Sequence, residues 1–361
     1  NDFVGDLNTA GKRFRNKQQG GVWKLPYNAV NDLSNMSYRV RVLTSAITAA
    51  DGKFTVPSSS GNVDEGDLIL AVGANTTLTG SNVTKHSSSS ASSLILDANA
   101  MGFANGTVAK VIYTKAVTSN PRTKTFNTGS TVTINVTDGT AQSYGLGKTD
   151  VIKINSITDN AGDNVTDRFT LDDGQRQNIY LVSKIIKKAG SAPVATGNMV
   201  VNFDNYTHGA TGDYFSAESY GIGNIDTAET IANYKRIPQF NSNRDGLLEL
   251  RDCLDFRAVQ NDNGVGFKNM GLQPKEGSNF EVDLGYYLPR IDKLIQEING
   301  NFKVISGVSS ESPVAPEDPE DSIIIGTIDL PAFTFDAKNV RVKLKDNKRY
   351  TMRDIGNIDK R

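Results

Sequence analysis

The run Gly145-Leu146-Gly147-Lys148-Thr149 ends like a phosphate loop, in which the amides of a glycine-rich turn cradle phosphate and the lysine reaches its outer oxygens. The full pattern needs a further glycine at the position held by Gln142, and a helix directly afterwards. Val151 to Ile157 alternates as a strand instead, so the run is expected to be a turn without nucleotide chemistry. Asp159-Asn160-Ala161-Gly162-Asp163-Asn164-Val165-Thr166-Asp167 gathers oxygen donors. A calcium loop sets acids at alternating positions, with glycine sixth and a bidentate acid twelfth. Asn164 stands where that glycine belongs, so an Asx-rich hairpin tip is expected, with Asp172 and Asp173 left open as further ligands in space. The two histidines, His86 and His208, sit beside serines and Gly209 in contexts read as flexible. No Gly-x-Ser-x-Gly elbow places a serine nucleophile near either. Paired carboxylates for glycoside cleavage stay open, because acids are plentiful. Cys253 reads as a buried structural thiol, and a single cysteine forms neither an intrachain disulfide nor a thiolate cage. No catalytic residue, metal or cofactor is expected.

The elements that would position any such group read as strands. Apolar residues make up 37% of the 361, and 33 glycines lie among many Ser, Thr and Asn, a mix suited to short strands and polar turns. The expected fold is mainly β: several small β-sandwich or barrel domains, extended linkers and the start of a C-terminal coiled-coil helix. Residues 1–50 form an N-terminal segment, and 51–118 a small barrel or sandwich built from runs such as Asp67 to Val72 and Val108 to Tyr113. Residues 119–208 read as an immunoglobulin-like sandwich, with clear period-two alternation in Thr131 to Thr137. Residues 209–310 are loop-rich with hairpins; Gly209 to Ala228 should order by lying on another surface, of its own chain or a neighbour. Tyr286 to Ser306 fits an amphipathic helix or a hairpin turning at Asn299-Gly300, and the hairpin is favoured. The Pro-rich acidic run 311–321 should be an extended spacer, and 322–361 a β region leading into a helix. Thr351-Met352-Arg353-Asp354 has a capping-box pattern, with Met352, Ile355 and Ile358 on one helix face. Asn1 is not an initiator Met and the helix stops early, so more chain is expected at the ends.

Charge narrows the partners. Lys plus Arg number 39 against 40 acids, a net charge of −1, so no broad attraction to nucleic acid follows. The run Lys12-Arg13-Phe14-Arg15-Asn16-Lys17 reads as a solvated arm. No apolar run approaches the roughly 18 residues of a membrane span, so no membrane insertion is expected.

Asp172 to Tyr180, Leu250 to Arg257, Tyr286 to Lys293 and Tyr350 to Gly356, in that order, resemble a family of virion structural proteins of contractile-tailed, T4-like bacteriophages of the cyanophage type. Asp173, Gly174, Gln175 and Arg176 match the family's Asp-Gly-Gln-Arg, which introduces a sandwich strand. Phe203-Asp204-Asn205-Tyr206 departs at one position, and Ala258 replaces the proline that usually follows the second block. The resemblance implies a tail-fibre or baseplate-associated component of the virion, assembled in the bacterial cytoplasm. Its partners would be copies of itself, a trimer being favoured, and other tail, baseplate or neck proteins. The expected subunit interface takes Arg251, Asp252, Asp255 and Arg257, alternating in sign along a strand and able to form bidentate pairs, together with Met352, Ile355 and Ile358. The alternative is a receptor-binding adhesin whose N-terminal module recognises host surface glycan, with Trp23, Tyr27, Tyr214 and Tyr220 stacking on sugars, although core burial is favoured for Trp23. A polysaccharide depolymerase is the third possibility.

Overall fold

The computed structural model describes residues 12–15, 21–57, 63–90, 92–222, 228–268, 271–345 and 352–359. They belong to two compact units, Asn1–Gly285 and Tyr286–Arg361. The chain is mainly β, arranged in several small sheets with no closed barrel among the described residues.

The first unit opens with β1 (Lys12–Arg15), β2 (Val22–Lys24), β3 (Val30–Leu43), β4 (Ile47–Thr48) and β5 (Lys53–Thr55). It continues through β6 (Ile69–Val72), β7 (Thr76–Thr79), β8 (Ile95–Asp97) and β9 (Val108–Thr118). Period-two burial of Met36, Tyr38 and Val40 makes β3 a strand with one core face. It pairs antiparallel with β9, which also carries β4 and β6, and β7 extends from β6. The separate β5–β8 pair lies beside the same core, where Phe54, Leu70, Leu96, Val111 and Tyr113 are buried. Residues 30–43 share a ladder with 108–118, so the expected boundary at 50/51 falls within one sheet. The backbone of Lys12–Arg15 pairs with a later strand and forms a sheet edge rather than an arm.

Seven strands follow: β10 (Lys124–Val136), β11 (Ser143–Thr149), β12 (Val151–Thr158), β13 (Phe169–Asp172), β14 (Ile179–Tyr180), β15 (Val182–Lys187) and β16 (Gly197–His208). Two antiparallel sheets, β10-β16-β12 and β11-β15-β13, close on Val136, Leu146, Val151, Ile185, Val201 and Phe203. The β11-β15-β13 and β12-β16 neighbours repeat the B-E-D and C-F pairings of an immunoglobulin-type sandwich. β10 lies beside β16, where such a domain places its last strand. The phosphate-loop-like run is the body of β11 rather than a turn. Gly147, at φ 62°, sits where its register with β15 shifts, and Lys148 pairs with Asp262 at 2.9 Å.

The remainder of this unit holds α1 (Ala228–Arg236), β17 (Gln239–Ser242), β18 (Gly246–Glu249), β19 (Cys253–Asp255), β20 (Ala258–Gln260), β21 (Phe267–Lys268) and β22 (Asn279–Tyr286). The glycine-rich stretch after Tyr206 lies on its own chain: Tyr214, Phe215, Ala217, Tyr220 and Ile222 are buried. Helix α1 has no counterpart among the sequence expectations, and it has no buried stripe to advertise it. β22 returns between β1 and β3, and β2 pairs with β19.

In the second unit β23 (Arg290–Glu297) and β24 (Phe302–Ile305) form the favoured hairpin. Asn299 Oδ1 accepts from Asn301 N at 3.0 Å, and Gly300 takes φ 86°. β25 (Ser322–Leu330) returns along the other side of β23, and β26 (Arg341–Leu344) adds to β25. The Pro-rich acidic run therefore joins two strands of one sheet and spaces no domains. It has no ladder, as its composition requires, and Lys293 anchors it by donating to Pro316 O and pairing with Asp318. Helix α2 (Met352–Asp359) ends the described chain. The capping pattern at Thr351 and Asp354 lies outside the described side chains.

Candidate functional site

Titratable side chains from distant stretches meet in one buried network in the first unit. Lys124 opens β10 and His208 closes β16, in direct register. Asp150 is the single residue between β11 and β12. It carries the chain from one sheet to the other at φ 55°, a left-handed conformation that aspartate tolerates better than most residues. Its Oδ2 accepts from Lys124 Nζ at 2.7 Å and meets His208 Nε2 at 3.0 Å. The Tyr180 hydroxyl, from β14, bridges to a second pair. It accepts from Lys124 Nζ (3.2 Å) and Arg257 Nη2 (2.7 Å) and donates to Asp255 Oδ2 (2.5 Å). Its one donor and two acceptor sites are thereby all used. Arg257 also donates from Nε and Nη2 to the two oxygens of Asp255, at 2.9 and 2.8 Å. The Lys124 ammonium lies 4.5 Å from the ring centres of both Tyr180 and Phe215.

The side chains of Lys124, Asp150 and Arg257 are fully buried, and those of Asp255 and His208 are 2% exposed. Burial alone would raise the Asp150 carboxyl, but Lys124 and His208 more than offset it and hold it well below the usual range. Asp255 is likewise pushed up by burial and held below its ordinary value chiefly by Arg257. Burial, with help from Lys124, depresses His208 below 6.5 despite the opposing pull of Asp150. With the imidazole neutral, two cations face two carboxylates and the cluster carries no net charge. Burying such charges is costly unless each is paired and hydrogen-bonded, and here every ion has both. Asp150 Oδ1, His208 Nδ1 and the Tyr206 and Tyr220 hydroxyls have no hydrogen-bond partner among the described residues. All of these groups are enclosed, so the arrangement can hold segments together but offers no open approach to a reactant.

The network binds the two central sequence blocks to each other. Arg257 donates from Nη2 to Gln175 Oε1 (3.1 Å) and from Nη1 to Arg176 O (3.2 Å). Ile179 and Tyr180 run parallel to Ala258 and Val259. Ala258 N donates to Asn178 O at 3.3 Å, a bond that a proline at this position would lack. Phe256 points the other way and packs against Trp23, Tyr38, Tyr214 and Phe280, with ring centres 4.9 to 5.8 Å away. Gly174 makes the first block's turn possible. It has φ 77°, and a Cβ there would stand 2.2 Å from Leu181 O. Gly174→Ala should therefore cost at least about 2 kcal/mol, read as a lower urea midpoint at unchanged m-value.

Several expected roles are corrected. Arg251 and Asp252 lie in a 3-10 turn and only Asp255 in the strand β19, and the stretch has no solvent face: Leu254, Asp255, Phe256 and Arg257 are all buried. Asp255 and Arg257 are spent on one another and on block one, so neither is left to pair with a neighbouring subunit. Asp252 is also buried, its Oδ1 accepting from Val30 N at 3.1 Å. Arg251 lies 3.5 Å from Asp252 and 4.8 Å from the Tyr234 ring centre. Met352, Ile355 and Ile358 are exposed, well away from this network in sequence. His208 is not on a flexible loop; it ends a 12-residue strand. His86 stays in the serine loop, where its Nδ1 accepts from Ser88 N at 3.0 Å. Of the aromatics proposed to stack on sugars, Trp23, Tyr214 and Tyr220 are core residues and Tyr27 is half-buried. Cys253 is buried, and burial pushes its thiol upward, as suits a structural cysteine. Asp159 spends its carboxylate on the amides of Ala161, Asp163 and Ala195, an Asx-type tip. Asp172 instead binds Arg176, at 2.7 and 3.0 Å. Among the described residues no group of three or more His, Cys, Asp and Glu side chains is placed to hold a metal.

Sequence reasoning missed Lys124, Asp150, Tyr180 and His208 as partners. Only the polar Asp173-Gly174-Gln175-Arg176 block hinted at them, because Lys124, Asp150 and the Asp255–Arg257 pair come from three separate stretches of the chain. No curated protein and no solved structure matches the chain. Residues 240–361, which include Asp255 and Arg257 but not their partners in the sandwich, match a family described as a domain of unknown function (DUF4815).

Proposed function

We propose that this chain is a structural component of a phage tail apparatus, baseplate-associated or of the fibre type, acting through subunit packing and oligomerisation. The observation that carries this reading is the use made of the resembling blocks. In the second block Asp255 and Arg257 are enclosed, paired with each other and bound to the first block, so they fix the shape of the subunit. Arg257 tying Gln175, Arg176 and Tyr180 to Asp255 is the clearest instance. Function then resides in surfaces offered to neighbours, with copies of the chain, a trimer being favoured, and other tail proteins as partners.

Quantitative mass spectrometry of purified particles of the phage encoding this chain tests the reading. The peptides should appear at a copy number that is a multiple of the oligomer, and should co-purify with tails after capsid removal. Absence from purified particles would overturn the proposal.

A further inference from the structure

The sheet β24-β23-β25-β26 has two chemically opposite faces. On one, Lys303 pairs with Glu297 at 3.4 Å and Lys343 with Asp329 at 2.7 Å, and Lys293 holds the connection through Pro316 and Asp318. Strand alternation and register put a different set on the other face. Val304, Leu294, Gly326 and Leu344 form one row across all four strands. Phe302, Gln296 and Ile323 flank it on one side, and Ile328 and Val342 on the other. Phe302, Val304, Ile323, Val342 and Leu344 are between 47 and 71% exposed. Gly326 belongs to the pattern, because a Cβ there would stand 2.5 Å from Lys343 O and push β26 away from the sheet.

An antiparallel sheet ordinarily buries one face and solvates the other. Here the polar, ion-paired face is crossed by chain and the apolar face is open. Together the exposed side chains make a patch on the order of 500 Å², the size that marks an interaction site. We propose that this face packs against the same face of a second copy of the chain, sheet on sheet. Three observations favour that occupant. Charge does not oppose it: Gln296 is uncharged, and Asp292, at the edge of the rows, is already neutralised by Arg290 at 3.1 Å and bonded to Gly307 N at 2.9 Å. A row of aliphatic and aromatic side chains is complementary to its own copy, and sheets pack face to face at about 10 Å in this way. Two such patches bury on the order of 1,000 Å² in total, which reaches the threshold of a specific interface. A same-face contact is two-fold and by itself builds a dimer, not the trimer favoured above; the proposal rests on that reading for its biological setting alone.

Light scattering and sedimentation on the full chain test it. The wild type should run as an oligomer, and Val304→Glu/Leu344→Glu should run as a monomer with unchanged far-UV circular dichroism. Ile298→Glu, at the hairpin tip outside the rows, should leave the mass unaltered. Val304→Cys covers the case in which the double variant does not fold: a bismaleimide should link it into covalent dimers, while the wild type, with Cys253 buried, gives none. A monomeric wild type overturns the proposal, as does an oligomer that Val304→Glu/Leu344→Glu leaves intact. A monomer whose face binds a hydrophobic dye only after removal of 346–361 also overturns it, by assigning the face to the chain's own C-terminal helix. Each of these outcomes is independent of whether the protein is found in particles.

Discussion

Lys124→Met should lower the unfolding free energy by about 3–5 kcal/mol at pH 8, the cost of stranding one member of a buried pair. The loss should shrink as the pH falls toward 6. In the wild type His208 is depressed below 6.5, first by burial and then by Lys124. A base depressed on folding costs stability as the pH falls through its ordinary value, because the unfolded chain takes up the proton more readily. Removing the ammonium withdraws a repulsion and leaves Asp150, 3.0 Å from Nε2, with His208 as its one ion-pair partner among the described residues. The imidazole can then charge and replace the lost cation. With its folded value raised, its contribution is present at low pH and disappears as the pH rises through that value. Between pH 5.5 and 8 the slope of stability against pH should therefore be less positive in the variant than in the wild type; the Glu218 carboxyl, pushed up to about 7 by burial, titrates in the same window and contributes equally to both. Urea titrations at stepped pH read this directly; parallel slopes would count against His208 as the second cation.

Arg257→Met should be at least as damaging. It strands Asp255, leaves Gln175 Oε1 and Arg176 O short of a donor, and loosens the β14–β20 contact. A loss of about 3–5 kcal/mol corresponds to roughly 10 °C in melting temperature for a unit of this size. Arg257→Lys should rescue little of it. The guanidinium donates from Nε, Nη1 and Nη2 in one plane, a geometry that a single ammonium does not reproduce. Differential scanning calorimetry of the two variants beside the wild type measures both effects.

The legible parts of this fold are those whose cause is local. Asn299-Gly300 between apolar runs specifies its hairpin through Gly300's positive φ and the Asn299 side chain. Alternation in Thr131 to Thr137, and the period-two stretches Val151 to Ile157 and Asn198 to Phe203, identify sandwich strands because one side of each faces a shared core. The ions defeated the same rule. The charges of Leu250 to Arg257 suggest pairs with a neighbouring subunit, whereas Asp255 and Arg257 are buried and satisfied by partners from the same chain. Gly209 made His208 look mobile, although the residue is held by its register with Lys124. The pairing of β2 with β19 joins segments more than 200 residues apart, and nothing in either segment announces the other. The exposed apolar side of β24 and β26 is written plainly in Phe302, Val304, Val342 and Leu344. Which sheet they share depends on β25 returning beyond the Pro-rich run.

A double-mutant cycle on Asp255 and Arg257, followed by urea denaturation of the full chain, bears most directly on the claim that the two central blocks are locked by a closed ionic network. Asp255→Leu and Arg257→Met should each cost several kcal/mol, while the double variant loses far less than their sum, with a coupling above about 2 kcal/mol. Losses that simply add would mean that the pair is not the lock, and would contradict the account.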